Sequence, residues 1–505
     1  MKYYIDQPIK KIKDTISETL KKDKKNSYYS YMKSFYHVND LVVFLAGKKM
    51  TKYLGVCSIK DNPDLSLFSE QSGESANLWH DGQEKLITFY KINNKNLNVL
   101  KKIFPHLNPV SLKTNTSFGF GDRLGIATPA HIKAIKKYPD IYPVFAQQSP
   151  RELIKTKRSF RKVIDSVTWA ILQEGYSGKW GADADHLKDR KNLSDAIAAG
   201  FTMYTIDTSE TLNKGALHSG LNSTIDLYHL NQEKLKTLIN KYSGKKWKTE
   251  NHTLMFDDNL IIKLLSVYGR SLDFILETYN YIKENVKSFD FEVSFDETST
   301  VTSPEAHLFL ANEMHSSGID FTSLALRFPG DFYKGVDYCG EISDFAKNIK
   351  IHGEIARKNG RYKLSLHSGS DKFSIYPVFS KYSEGLFHIK TSGTSWLCAL
   401  HIIARYNSEL FRKIYLLSLE SFEENKKDYH LDLKYDELPK ALKDVKDKKL
   451  WSIIYNTNIR QCLHIAYGAV LDILKKEIYE TLNSYEKEHY HFVSSYLLKH
   501  LDLLK

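Results

Sequence analysis

Apolar segments with strand character recur along residues 116–400 and are separated by amphipathic stretches. These stretches, such as RKVIDSVTWAILQEG, place apolar residues at three- and four-residue steps and are long enough to form crossover helices. Eight alternating strand and helix units predict an α/β fold, a (β/α)8 barrel of the TIM type. The eight strand candidates are TSFGFGDRL, IYPVFAQQ, KWGADADHL, GFTMYTID, FDFEVSFDET, DFTSLALRF, RYKLSLHSG and LFHIKTSG.

The chain before and after this region has different patterns. Residues 1–115 mix strand candidates such as DLVVFLAG with lysine-rich helical stretches, whereas residues 401–505 are helical in period. The predicted domains are a small N-terminal α/β domain (1–115), the barrel (116–400) and a C-terminal helical subdomain (401–505). An insertion at about residues 208–288, between the fourth and fifth strands, is expected to hold a lid or a helical excursion.

Composition narrows the class of protein without identifying it. With 505 residues, of which 42% are hydrophobic, the chain can bury a large core. The formal charge of +12 is compatible with nucleic-acid binding or with an anionic substrate, but the abundance of lysine and tyrosine throughout favours compositional bias. The four cysteines form no CxxC pair, and no segment reaches the ~18 apolar residues of a membrane span, which indicates a cytoplasmic protein without a membrane partner.

Ionisable and amide side chains stand at the C-terminal ends of the predicted strands, where barrel enzymes carry their chemistry. A purely structural barrel would have no reason to collect so many ionisable groups on one rim. We therefore expect an active site there and no nucleic-acid partner. The residues concerned are Asp122, Arg123, Gln147, Gln148, Asp185, His186, Asp207, Asp296, Glu297, Arg327, His367, His388 and Lys390.

The third segment, KWGADADHL, raises the sharpest question, because Asp183, Asp185 and His186 follow one another closely. On an extended chain the two aspartates point to one side and His186 to the other, until the strand ends. A neutral imidazole binds divalent cations, and a neighbouring carboxylate can bind the same ion or act as a base. A salt-bridged or helix-capping turn is the alternative interpretation. His367, at the end of the seventh segment, could converge on the same metal.

Further polar residues are expected around this site. Glu292 in the fifth segment would need a buried partner, and Lys390 or the metal could supply one. Arg123 and Arg327 could pair with a substrate carboxylate through the guanidinium fork, or could instead tie together strand-end acids such as Asp122 and Asp331. The residues that we predict to bind the substrate are Asp122, Arg123, Gln148, Asp296, Arg327 and Lys390.

Seven segments in order resemble the tagaturonate epimerase family: SFGFGDRLGIATPAHI, PVFAQQSPRE, QEGYSGKWGADADHLK, GFTMYTIDTS, FEVSFDETSTVTSP, KLSLHSGSDKFSIYP and FHIKTSGTSWL. The resemblance covers about residues 115–480, including NIRQCLHIAYG, while the N-terminal region matches only loosely. It implies a divalent-metal-dependent epimerase that interconverts D-tagaturonate and D-fructuronate in hexuronate breakdown, with relatives that act on tagatose and fructose. Where the family's DET is often followed by ETPT, this chain has STVT, which leaves its substrate preference open.

The resemblance also implies roles for individual residues. Asp185 of ADADH corresponds to the proton acceptor, and His186 corresponds to a metal ligand. Glu292 of FEVS corresponds to the proton donor, and His367 of LHSGSD to a second ligand. A third ligand is expected after the sixth strand, and the candidates in order of preference are Asp331, Asp337 and His388.

The carbon that is inverted in this reaction is not adjacent to the ketone, so simple enolisation cannot reach its hydrogen. We therefore hypothesise metal-assisted retro-aldol cleavage, rotation of the aldehyde and re-addition, with Asp185 handling the hydroxyl proton. The alternative enzyme is a class II-like metal-dependent sugar or sugar-acid aldolase, and the non-enzymatic alternative is a basic protein that binds nucleic acid or carbohydrate. Zinc, manganese, nickel, cobalt and iron suit such ligands alike, and the sequence allows a homo-oligomer without indicating one.

Overall fold

The computed structural model describes residues 7–23, 27–218, 231–298 and 300–505. The N-terminal part is an antiparallel sheet of six strands in the order β1-β3-β4-β6-β5, with β2 paired to β3. Its elements are α1 (Gln7–Lys22), β1 (Tyr28–Ser30), β2 (Tyr36–Val38), β3 (Leu41–Lys48), β4 (Thr51–Ser58), β5 (Gln71–His80), β6 (Gln83–Lys91) and α2 (Asn94–Ile103).

Both faces of this sheet are apolar, and each face packs against a different core. Phe44 and Ile87 pack with Ile16 of α1, whereas Leu45 and Leu54 join the core that surrounds the barrel. Each strand alternates between the two faces, so nearly every position of β3 is buried. One hydrophobic core includes residues of both the sheet and the barrel. The domain boundaries at residues 115 and 400 stay a prediction.

Eight parallel strands close into a barrel, as the sequence predicted. Every predicted strand segment contains one of them. They are β7 (Ser117–Phe120), β8 (Tyr142–Gln148), β9 (Gly181–Leu187), β10 (Met203–Asp207), β13 (Asp290–Ser294), β14 (Ser323–Ala325), β15 (Lys363–Leu366) and β16 (Phe387–Thr391).

Helices follow the barrel strands, and several of them begin at a side chain that caps the first turn. Ser159 accepts a hydrogen bond from the Lys162 N–H at the start of α5, and Gly175 ends that helix with a left-handed φ of 55°. The helices around the barrel are α3 (Thr128–Ile135), α4 (Pro150–Thr156), α5 (Phe160–Glu174), α6 (Arg190–Ala199), α9 (Asp258–Asn285), α10 (Pro304–Ser316), α11 (Ile342–Lys358), α12 (Tyr376–Ser383) and α13 (Thr394–Tyr406).

The insertion between β10 and β13 is a helical excursion with a small hairpin, in the residues that the structure describes. Before α9 it contains α7 (Lys214–His218), α8 (Gln232–Tyr242), β11 (Lys246–Lys248) and β12 (Thr253–Met255). The turn of the hairpin is fixed to α11 by Glu354, which accepts hydrogen bonds from Thr249 and Asn251. Residues 219–230 of the insertion lie outside the described residues.

The C-terminal part is helical, as predicted. It contains α14 (Ser408–Glu420), α15 (Phe422–Asn425), α16 (Thr457–Ile465), α17 (Tyr467–Ser484) and α18 (Glu486–Asp502). A second core unites α13, α14, α16 and α17 through residues such as Leu400, Phe411, Leu463 and Val470. This packing holds α16 against the barrel, close to the strand ends. Among the described residues, no helix is long and apolar enough to cross a membrane.

Candidate active site

A cavity of about 880 Å³ opens at the C-terminal ends of the barrel strands. Asp185, His186, Asp296, His367 and Lys390 line its floor and walls, together with residues of the loops after β8 and β14. Residues 427–430 of the helical tail border it on another side. The predicted location of the site at this rim agrees with the geometry of the barrel.

The end of strand β9 has an unusual backbone. His186 has a left-handed φ of 54°, a conformation that non-glycine residues rarely adopt and that functional sites often retain. The pairing of β9 with β10 shifts register at this point. As a result His186 turns towards the same side as Asp185, and its Nδ1 lies 2.7 Å from Asp185 Oδ1. Strict alternation would have separated the two side chains.

Lys390 lies at the centre of a buried group of carboxylates. Its Nζ is 2.7 Å from Asp183 Oδ2, 2.7 Å from Asp185 Oδ1 and 2.8 Å from Glu292 Oε1. It also donates a hydrogen bond of 2.6 Å to Thr205 Oγ1. Burial opposes the charge on Lys390, but the three carboxylates outweigh burial and hold its pKa well above the ordinary value. The Lys390 ammonium is therefore the fixed counter-charge of the site.

The three carboxylates do not share that ammonium equally. Burial raises the pKa of Asp183 to about 6 even though Lys390 lowers it. For Asp185, burial is outweighed by the neighbouring His186 and Lys390, and the pKa lies well below the ordinary value. Asp185 therefore borders the cavity as an ionised carboxylate, while Asp183 lies deeper inside the barrel.

His367 connects Glu292 with the mouth of the barrel. Its Nε2 lies 2.7 Å from Glu292 Oε1, and its Nδ1 lies 3.3 Å from Asp296 Oδ1. Burial disfavours the imidazolium, but Asp296 outweighs burial and raises the pKa of His367 to about 10. Glu292 is fully buried and also accepts a hydrogen bond of 2.6 Å from Ser323 Oγ. Of the two partners that the sequence suggested for a buried Glu292, Lys390 lies with its Nζ 2.8 Å from Glu292 Oε1.

One set of residues fits a divalent cation. His186, Asp296 and His367 each offer a ligand atom, and these atoms all lie within 4.8 Å of one another. Two imidazoles and one carboxylate suit first-row divalent metals. The fit is supported by Nδ1 of His367, which is buried and, among the described residues, faces the Asp296 carboxylate at 3.3 Å without a hydrogen bond of good geometry.

A second such set combines His186 with Asp207 and Glu297. The Lys188 ammonium already lies 3.3 Å from Asp207 Oδ2 and 3.8 Å from Glu297 Oε2. A cation there would meet an existing positive charge, so the first set is the better candidate.

The residues predicted as the third metal ligand do not belong to the compact set of His186, Asp296 and His367. Asp331 borders the cavity, but its Oδ1 lies 3.6 Å from Arg327 Nη2 and 3.5 Å from His430 Nε2. Asp337 accepts hydrogen bonds from Ser374, and His388 lies inside the barrel with Nδ1 2.9 Å from Ser117 Oγ. The third member of that set is Asp296, for which the sequence predicted a role in substrate binding.

Three other residues predicted to bind substrate, Asp122, Arg123 and Gln148, are engaged by groups of the protein itself. Asp122 accepts hydrogen bonds from the N–H groups of Gly125 and Ala127, so it orders the loop after β7. Arg123 donates to Glu152 at 2.9 Å, and Gln148 donates to the same carboxylate at 2.9 Å. Of Asp122, Arg123 and Gln148, only Arg123 borders the cavity.

Several site residues were missed by sequence reasoning. Thr205 and Ser323 are paired in register with Glu292 on either side, so a comparison of inward-facing polar positions across neighbouring strands could have found them. Lys334 and Arg151 border the cavity from loop and helix-start positions. No periodic pattern marks such positions, and the sequence contained no signal for them.

Comparisons with known proteins show the family to which the chain belongs. A family model described as tagaturonate epimerase matches residues 31–504, which extends the resemblance beyond residues 115–480 in both directions. A tagaturonate/fructuronate epimerase of Thermotoga maritima is 41% identical over 481 residues, which cover 95% of this chain and 97% of that protein.

Solved structures show the same fold. The native crystal structure of the fructuronate-tagaturonate epimerase UxaE from Cohnella laeviribosi superposes with a TM-score of 0.89 at 33% identity, covering 98% of this chain and 99% of that chain. A glycerol complex of the same enzyme gives a TM-score of 0.88 at 33% identity and covers 99% of both chains. With a family model matching nearly its whole length, the chain belongs to the tagaturonate epimerase family, whose members are isomerases.

Proposed function

We propose that this enzyme interconverts D-tagaturonate and D-fructuronate and depends on a divalent metal cation. The observation that carries the proposal is the set His186, Asp296 and His367, which stands beside the carboxylate of Asp185 in one cavity. The names of the relatives support the substrates. Activity on the uncharged ketoses tagatose and fructose is a further part of the proposal, and the same assay tests it.

The chain's own residues divide the work in this proposal. His186, Asp296 and His367 hold the cation, which would act as a Lewis acid on substrate oxygens. Asp185 accepts a hydroxyl proton from the substrate because it borders the cavity and is kept ionised by Lys390 and His186. As Asp185 takes this proton, the hydroxyl carbon becomes an aldehyde and the adjacent carbon–carbon bond breaks, leaving its electron pair on the ketone fragment as an enolate. The aldehyde rotates, the enolate carbon attacks its other face to re-form the bond, and Asp185 returns the proton to the new hydroxyl.

Glu292 is the proposed proton donor, and its position restricts how it can act. It is fully buried beneath the residues that line the cavity. Its Oε1 lies 2.7 Å from His367 Nε2 and 2.8 Å from Lys390 Nζ. Burial raises the pKa of Glu292, but Lys390 and His367 outweigh burial and hold it well below the ordinary value. Glu292 is therefore ionised, and the proton that this group delivers to the substrate resides on Lys390 or His367.

The test is an assay of the metal-free enzyme reconstituted separately with zinc, manganese, nickel, cobalt and iron. Tagaturonate and tagatose are the substrates, and products are separated by chromatography. Activity is expected to require metal and to be lost in His186→Ala. The control variant is His430→Ala, which replaces another histidine that borders the cavity and should keep the activity. Unchanged activity in His186→Ala would refute the site. Accumulation of cleaved fragments in place of the epimer would identify an aldolase.

A further inference from the structure

Among the described residues, six lysine and arginine side chains border the cavity, and four of them are already paired with carboxylates. Lys390 contacts three carboxylates, as described above. The other pairs are Arg123–Glu152 at 2.9 Å, Arg327–Asp331 at 3.6 Å and Lys427–Glu424 at 2.6 Å. The arginines that the sequence singled out as anchors for a substrate carboxylate are thus both engaged by acids of the protein.

Arg151 and Lys334 differ from these four. Lys334 Nζ donates to Ser368 Oγ at 2.6 Å, and Arg151 Nη1 donates to the backbone carbonyl of Asp428 at 3.0 Å. Both partners are neutral oxygens. Within the part of the chain that the structure describes, neither cation forms a salt bridge. A cation that faces a cavity with only neutral partners has capacity for an anion.

The two cations come from opposite sides of the barrel. Arg151 is the second residue of α4, after β8, and Lys334 lies in the loop between β14 and α11. β8 and β14 are four strands apart in the closed order, so the loop of Lys334 reaches across the mouth. Burial lowers the pKa of Lys334, and repulsion from Arg151 lowers it further. An anion between the two groups would relieve this repulsion.

The position of Lys334 also indicates which molecule carries the anion. Its hydrogen-bond partner Ser368 directly follows His367, a residue of the candidate metal set. A ligand that reaches both the metal set and the two cations must therefore combine polar oxygens with an anionic end. A six-carbon sugar acid has this chemistry.

We propose that Arg151 and Lys334 bind the carboxylate of the sugar-acid substrate, a role that rests on the proposed function. The pair then determines specificity: a sugar acid gains two charge-assisted contacts that a neutral ketose cannot make. Lys334 contributes a compact ammonium, and Arg151 contributes a planar guanidinium that can bind both oxygens of a carboxylate.

Calorimetric titration of the full chain with D-galactonate, a non-reacting sugar acid, and with its neutral counterpart galactitol tests this assignment. The wild type should bind galactonate more tightly. Lys334→Gln and Arg151→Gln should each weaken galactonate binding at least about tenfold and leave galactitol binding unchanged. Arg151→Lys should retain part of the preference. Lys427→Gln, which removes the same charge from a paired rim residue, should behave as the wild type.

Two outcomes would overturn the assignment: a wild type without preference for galactonate, or glutamine variants that keep the wild-type preference. A variant that melts like the wild type but loses affinity for galactonate and galactitol equally would also contradict the assignment, because galactitol has no carboxylate for the two cations to contact. An inactive wild type that still prefers galactonate contradicts the proposed reaction but supports the anion site. An active wild type with an unchanged Lys334→Gln variant contradicts the anion site alone.

Discussion

His186 Nδ1 and Asp185 Oδ1 lie 2.7 Å apart, although the two residues are consecutive in strand β9. Neighbouring side chains of a strand normally point to opposite faces. The contact exists because His186 adopts a left-handed φ of 54°, and the same turn brings its imidazole to His367, whose ring centroid is 5.0 Å away. A strained residue thus positions both the proposed base and a proposed metal ligand.

The first prediction follows from the positive φ of His186 and concerns two substitutions that both remove the imidazole. His186→Gly should be more stable than His186→Ala by about 1 kcal/mol, because alanine pays a steric penalty at positive φ and glycine does not. Urea unfolding of the two variants measures the difference. Ala184→Gly, in the same strand, should show the opposite sign and lose stability. A His186→Ala variant as stable as His186→Gly would show that the left-handed turn is not retained.

The second prediction concerns the ammonium of Lys390. Lys390→Met would leave Asp183, Asp185 and Glu292 buried without their common counter-charge. We expect a loss of about 3–5 kcal/mol in the free energy of unfolding, the range for breaking a buried ion pair by removing one partner. Thermal unfolding followed by circular dichroism measures it.

Lys426→Met is the matched control for that experiment, since Lys426 pairs with Glu423 on the exposed surface. Exposed pairs contribute about 0–1 kcal/mol, so this variant should unfold close to the wild type. Similar melting of Lys390→Met and Lys426→Met would mean that the buried carboxylates are not held ionised by Lys390.

The fold was predictable because its signals are local. Most barrel strands are short segments rich in apolar residues and bounded by polar or glycine-rich residues, and all eight formed where predicted. Asp185, His186 and His367 were predictable because strand ends converge in this fold. The positive φ of His186 was not, since it results from a register shift against β10.

Loop residues show the same limit in another way. The choice between Asp296 and Asp331 depends on how two loops turn after β13 and β14, and neither loop has a period. Arg123 looked available in the sequence, because its partner Glu152 comes from a different segment, the first turn of α4. Lys334 reaches across the barrel mouth, and no nearby residue indicates that. Contacts between loops form only in the assembled barrel. The sequence therefore predicts which polar residues lie at the rim, but not which of them contact one another.

The identity of the third metal ligand gives the third prediction. Asp296→Asn should lower the affinity for a divalent cation at least about tenfold, because the carboxylate belongs to the compact set and an amide is a weaker ligand. Asp331→Asn should keep the affinity, since Asp331 lies with Arg327 and His430. Metal content after equilibrium dialysis, measured by mass spectrometry, is the readout. The reverse ranking would restore Asp331 as the ligand.

The fourth prediction concerns the pH dependence of stability and Glu354 of α11. Its buried carboxylate accepts hydrogen bonds from Thr249 Oγ1 at 2.7 Å and from Asn251 N and Nδ2 at 3.1 and 2.9 Å, and it lies 2.9 Å from His252 Nδ1. Burial raises the pKa, but the hydrogen bond from His252 and those from Asn251 and Thr249 outweigh burial and lower it to about 2. The ionised form is therefore the one that fixes the hairpin turn to α11.

The sign of the effect follows from that depressed pKa. The carboxylate stabilises the fold fully above its ordinary pKa, and this contribution is lost as the pH falls towards about 2. Glu354→Gln should lower the stability at pH 7 by about 1–3 kcal/mol. The amide NH2 of glutamine would face the donor groups of Thr249 or Asn251, where the carboxylate has an oxygen that accepts their hydrogen bonds. The melting curves of variant and wild type should approach each other between about pH 5 and about pH 3.

Glu250→Gln, which removes the partly exposed partner of Arg357, should change stability by no more than about 1 kcal/mol. A gap between Glu354→Gln and the wild type that stays constant from neutral to acidic pH would show that the ionised carboxylate is not what anchors the hairpin.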